Sequence, residues 1–260
     1  MHELLKEHEH RPYPLPAGPW VMSQNWIDLL FAHWTVPLST VRANVPAQLQ
    51  IDTYEGDAYV GVVPFRMSKV KLRGLPTVEY LSEFLELNVR TYVTVNGRPG
   101  VYFFSLDASN DVAVQIARTW YHLPYFKAQM QLTEQLTTTS EKNNWIEYSS
   151  TRNGGEGINN FKAFYRPIAP VEQSKPGSLE AFLTDRYCLY VLDSKNRVCR
   201  GEIHHKQWQL QKAEARIEEN TMGEQYGFDF SQIPLLHYSK HIETIEWPIK
   251  SCQSESFPER

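Results

Sequence analysis

Cysteine is scarce in this chain of 260 residues; only Cys188, Cys199 and Cys252 occur. Three is an odd number, and the spacing fits no zinc motif, so neither a disulfide framework nor a structural metal is expected. No apolar run approaches the 18 or so residues of a membrane-spanning helix. The longest candidate, Trp26 to Trp34, is interrupted by Asp28 and His33. No charge sign dominates: 26 Lys and Arg stand against 30 Asp and Glu, a net charge of −4. A dedicated nucleic-acid binder needs clustered cations to displace counterions, and none are here. The N-terminus is charged and lacks the apolar stretch of a secretory signal. These absences predict a cytoplasmic protein with neither nucleic-acid nor membrane partners. Aromatic residues, by contrast, are plentiful: 7 Trp, 14 Tyr and 12 Phe, suited to strands and apolar pockets.

The pattern of elements points to one domain over 20–250. A polar N-terminal tail (1–19), helical or frayed, precedes it, and Pro12, Pro14, Pro16, Gly18 and Pro19 break regular structure there. A loose tail follows over 251–260. Extended segments are read at Met22–Val36, Ala58–Phe65, Phe84–Val95, Val101–Leu106 and Tyr125–Met130. Hairpins are read at 145–166, around Asn153-Gly154-Gly155, and at 187–202. The stretch Lys69–Pro76 is read as turn-like. Short helices are expected after Pro37, after the capping residues Asp107, Ser109 and Asn110, and after Ser178. Pro124 must end the second of these. Many short strands, tight turns and few helices predict a mostly β (α+β) fold. The expected form is an antiparallel β-barrel-like sheet around an apolar cavity, with peripheral helices.

The candidate site starts from Phe84–Val95. In an extended chain Phe84, Glu86, Asn88, Arg90 and Tyr92 share one face, and Leu85, Leu87, Val89 and Val93 the other. Alternating charge usually marks a solvated face. If both faces are covered instead, Glu86 and Arg90 must find partners, because an isolated buried charge is prohibitively costly. Arg118 and His122 sit at a helix C-terminus, where cations are favoured on electrostatic grounds alone; His122 is also a candidate acid/base group. His204 and His205 are adjacent in a strand, point to opposite faces and cannot chelate one ion. No metal or other cofactor is expected.

The runs Trp26–Trp34, Val60–Phe65, Glu86–Val93, Gly100–Asp107, Leu123–Tyr125 and Asp185–Tyr187 resemble the YqjF-like family of uncharacterised bacterial proteins. That family resembles, more distantly, the acetoacetate decarboxylase-like superfamily. The resemblance runs from about Trp20 to about Ala213 and implies a β-barrel around an apolar cavity. In the decarboxylases an Arg near a helix end precedes a Pro-Lys-Lys, and the first Lys, its pKa lowered by the second, forms the Schiff base. Here Arg118 and Pro124 match, but Tyr125 and Phe126 stand at the lysine positions and form no imine. Lys127 lies one strand repeat beyond Tyr125. Glu86 matches the decarboxylase glutamate, and Trp26 stands where that family has an arginine.

The resemblance implies a kept scaffold with lost covalent chemistry. The expected function is binding of a small aromatic or carbonyl compound without a Schiff base. The alternative is a lyase or hydrolase-type enzyme using Glu86 as acid/base, assisted by Tyr125 or His122, on a keto or carboxylic acid. The expected ligand contacts are Trp26, Asn88, Arg90, Tyr92 and Arg118. The expected partner is a small molecule, and self-association into a homo-oligomer is left open.

Overall fold

A computed structural model describes residues 2–76, 82–135, 145–152 and 159–252. Among these, thirteen strands form one hydrogen-bonded sheet. They are β1 (Met22–Val36), β2 (Gln50–Ile51), β3 (Ala58–Leu72), β4 (Phe84–Val95), β5 (Arg98–Ala108), β6 (Tyr125–Gln135) and β7 (Trp145–Arg152). There follow β8 (Asn160–Pro167), β9 (Cys188–Leu192), β10 (Val198–His205), β11 (Gln211–Asn220), β12 (Leu235–Glu246) and β13 (Lys250–Ser251). Short α-helices span Leu38–Asn44, Asp111–Tyr121 and Leu179–Thr184. The mostly β fold is as expected; the Asn153-Gly154-Gly155 turn lies outside the described residues.

Local chemistry explains the elements around the site. Asn96 and Gly97 both adopt positive φ, 52° and 72°, the signature of the tight turn that joins β4 to β5. Asn110 caps the Asp111–Tyr121 helix, its side chain accepting from the Ala113 N–H at 3.0 Å. His122 ends that helix in the left-handed region. Where a turn-like 69–76 is expected, β3 instead runs on to Leu72 through Lys69 at φ 52°. Pairing with β1, down to Met22↔Leu72, holds it extended. β12, not among the extended segments expected, pairs with β1 from Glu246 to Leu235.

Two features refine the expected barrel. The sheet is mixed, since β5 runs parallel to β6 (Leu106↔Tyr125) and to β9 (Val101↔Leu189). The Asp111–Tyr121 helix between β5 and β6 returns the chain to its starting end, and such a crossover makes the next strand parallel. Closure is also partial. Two circuits of strands share the wall β12–β1–β3–β4–β5. One closes through β9 and β10, with Val101↔Leu189 as its only β5–β9 pair. Gly100 permits that approach: a Cβ there would lie 2.7 Å from the Tyr190 ring and 2.8 Å from the Cys188 carbonyl. The other circuit runs through β6, β7, β8 and β11, and β11 meets β12 only at Gln211↔Tyr238 and Lys212↔His237.

The shared wall therefore has two buried faces. Leu29, Phe31, Val63, Phe65 and Trp208 pack on one side. Leu30, Trp34, Val62, Leu87, Val89, Tyr148 and Tyr165 pack on the other. A bulge at Asp28 (φ 56°) resets the alternation, so that Trp26 and Phe31 both meet Trp208. The N-terminal segment is anchored. Leu4 is buried with Ile245 and Trp247, and Arg11 joins Arg98 and Arg200 around the Glu202 carboxylate. Cys188 pairs with Glu202 in register, and all three cysteines are free.

Candidate functional site

β4 keeps strict alternation. The extra residue of its bulge with β5 is Phe104 on the β5 side, because Val89↔Ser105 is followed by Arg90↔Phe103. Glu86, Asn88, Arg90 and Tyr92 thus share one face, and all four are buried. The solvated-face reading is excluded: Glu86 is 2% exposed and Asn88 4%. Phe65 lies across the ladder from Glu86, and Gly61 across from Arg90. Gly61 also makes room for His33, whose Cδ2 would lie 2.9 Å from a Cβ.

The parallel β5–β6 ladder brings Tyr125 beside Leu106, on the Glu86 side of the sheet. The Tyr125 hydroxyl donates to Glu86 Oε2 at 2.7 Å. From the opposite face, Tyr148 donates to the Glu86 carbonyl at 2.7 Å and fixes that stretch of β4. Burial pushes the Glu86 carboxyl up to about 8, against the Tyr125 and Asn88 hydrogen bonds, with the Glu246 charge adding to the rise. At neutral pH Glu86 is therefore a neutral acid with a proton to donate. Burial likewise raises Glu246 to about 7, partly offset by its hydrogen bond from Gln24.

Several buried polar atoms on this side have no hydrogen-bond partner among the described residues: Trp26 Nε1, His33 Nδ1, Asn88 Oδ1 and Arg90 Nε. Burial holds His33 well below its ordinary range, so its ring is neutral. The Tyr92 hydroxyl donates to the Leu183 carbonyl at 2.8 Å and therefore accepts from His33 Nε2 at 2.7 Å. That assignment leaves His33 Nδ1 as a bare acceptor. Arg90 donates through Nη2 to the Leu183 carbonyl at 3.3 Å and lies over the Phe31 ring at 5.4 Å. The rings of Trp26, Phe31, Phe65 and Trp208 pack together on this face. Trp26 is partly exposed, although its Nε1 is buried.

The remaining candidates lie apart. Arg118 is exposed, and its Nε donates to the Tyr125 carbonyl at 2.5 Å, which positions the Tyr125 backbone. His122 is exposed and lines a cleft of about 170 Å³ with Tyr102, Pro124 and Tyr190; no hydrogen bond or ion pair joins it to Glu86. Lys127 is half-exposed and paired with Asp111 at 2.5 Å, outside the packed interior. His204 and His205 do point apart: one reaches the Leu4 carbonyl, and the other stacks on Tyr187. Sequence reasoning misses Gln24, His33 and Glu246. His33 shares the parity of Phe31 on β1, a signal that exists, whereas Glu246 ends a strand that no motif marks.

Comparison with known proteins gives the chain's relatives. The DUF2071 family model, described as an uncharacterized conserved protein, matches residues 23–243. The chain is 42% identical over 249 residues to uncharacterized protein YqjF of Bacillus subtilis (strain 168), covering 95% of this chain and 99% of that one. Among solved structures, the enduracididine biosynthesis enzyme MppR complexed with pyruvate superposes with a TM-score of 0.59 at 10% identity, covering 92% of each chain. An acetoacetate decarboxylase-like enzyme from Sphingomonas wittichii RW1 gives 0.59 at 10%, covering 93% of this chain and 98% of its own. An acetoacetate decarboxylase gives 0.57 at 14%, covering 96% and 97%. At such identities these likenesses carry the fold alone.

Proposed function

We propose, for a chain that belongs to the DUF2071 family and has the acetoacetate decarboxylase-like fold, that it binds a small carbonyl or aromatic compound beside Glu86 without forming an imine. One observation carries the reading: the buried Glu86–Tyr125 pair stands on the same side of the wall as the unpartnered Trp26 N–H and Arg90 Nε–H. Buried donors left unpaired cost about 1–3 kcal/mol each, and a guest carbonyl oxygen would recover part of that. The aromatic rings of Trp26, Phe31 and Trp208 suit the guest's apolar body. The bound pyruvate of the structural neighbour is consistent with a carbonyl guest on this scaffold. The resemblance puts Tyr125 and Phe126, neither able to form an imine, at the lysine positions, and Lys127 is half-exposed and paired with Asp111.

A thermal-shift panel of pyruvate, phenylpyruvate and benzaldehyde tests this. A guest at 100 times its dissociation constant stabilises by about 2.7 kcal/mol, a rise of roughly 5–10 °C in Tm for a chain of this size. Trp26→Phe keeps the ring and removes the N–H, and should weaken the guest about fivefold. No shift with any compound, or an undiminished shift in that variant, refutes the reading. A second reading draws on the protonated state of Glu86. A neutral acid in contact with a phenol is equipped to protonate a bound carbonyl compound, as a lyase or hydrolase-type enzyme would.

A further inference from the structure

The geometry points to a second binding site, in the wall of the other strand circuit, that takes an organic cation with an apolar body. β11 and β12 pair at Gln211↔Tyr238 and Lys212↔His237, then separate, while β11 stays paired with β8 out to Asn220. The gap is a groove of about 590 Å³, within the usual range for small-molecule sites. One ring, Phe230, is partly exposed on its floor, with Trp34 and Phe228 buried beneath it. Trp34 and Phe230 lie 4.6 Å apart, Phe230 and Phe228 6.2 Å, and Phe228 and Phe104 4.9 Å, so a chain of rings leads from the groove into the core. The segment that forms one side of the groove is latched in place: Trp34 Nε1 donates to the Gln232 carbonyl at 2.8 Å. Ile233, on that segment, is 96% exposed.

The mouth is acidic. Glu218, Glu219, Glu224 and Asp229 line it, and among the described residues no Lys, Arg or His does. Glu218 is neutralised by Lys162 at 2.9 Å and Arg216 at 3.2 Å. Among the described residues, Glu219 accepts from the Asn160 amide, and Asp229 from the Ser231 N–H. Glu219, Glu224 and Asp229 thus have no cationic partner among the described residues. Carboxylates around an accessible ring attract a cation twice, through the local field and through the Phe230 ring. An anion of the same shape meets repulsion from the same groups. The site is separate from Glu86 and does not depend on the reading given for it.

Isothermal titration of the full chain with 4-phenylbutylamine and 4-phenylbutyrate tests the proposal, since the two share an apolar body and differ in the sign of the head. The amine should bind at least about tenfold more tightly. The double variant Glu224→Gln/Asp229→Asn, both surface positions, should weaken the amine about fivefold, and Phe230→Leu should weaken it through the floor. Glu3→Gln, on the N-terminal turn, should leave it unchanged. Equal binding of the two compounds, or amine binding indifferent to both the rim and the floor variants, overturns the proposal.

Discussion

Replacing Glu86 by glutamine should make the protein more stable at alkaline pH, although a buried hydrogen-bonded residue is being changed. Proton linkage sets the sign of the effect. Burial raises the carboxyl from its ordinary 4.5 to about 8 in the folded protein. Between those values the folded chain holds a proton that the unfolded chain releases, so stability falls as pH rises. The contribution of the neutral acid is fully present below about 4.5 and is lost as pH climbs through about 8. Glutamine is a near-isostere that cannot ionise, and Tyr125 can still donate to its carbonyl oxygen. At about 1.36 kcal/mol per unit, the variant should exceed the parent by about 1 kcal/mol at pH 5, about 3 at pH 7 and about 5 at pH 8.5. Urea denaturation of the two proteins at those three pH values measures the difference directly, and groups common to both largely cancel. A difference independent of pH would refute the reasoning. It would mean that Glu86 ionises in the ordinary range and that a compensating charge sits inside the barrel.

Two further outcomes are expected. Tyr125→Phe removes the hydrogen bond that favours the ionised form of Glu86. The pH at which Tyr125→Phe and Tyr125→Phe/Glu86→Gln cease to diverge in urea should then move up by about one unit. If Glu86 transfers protons to a bound carbonyl compound, the methyl group of pyruvate should exchange with deuterium oxide faster in the presence of the protein. That acceleration should vanish in Glu86→Gln; proton NMR reads it, and exchange at the same rate in both proteins would remove the acid/base reading.

Alternation alone placed Glu86, Asn88, Arg90 and Tyr92 on one face, because successive side chains of a strand must point oppositely, and the Phe104 bulge spared β4. The Asn96-Gly97 turn and the Asn110 cap were likewise legible, since each depends on a few adjacent residues. The direction of β6 was not, because whether it runs parallel or antiparallel depends on where a helix returns the chain. β12 does carry strand-forming residues in alternation, Leu236, Tyr238, Ile242 and Thr244, but its pairing is fixed by β1, so the place of Glu246 stayed hidden.

Sequence by itself determined a β-rich chain with a polar ribbon along one strand face. Tertiary structure alone decided that this ribbon is covered on both sides, that Tyr125 rather than His122 reaches its acid, and that Lys127 stays outside. The physical reason is that parity and turns are fixed by neighbours along the chain. Burial, and the proton affinity it confers on Glu86, is fixed by strands that are distant in sequence.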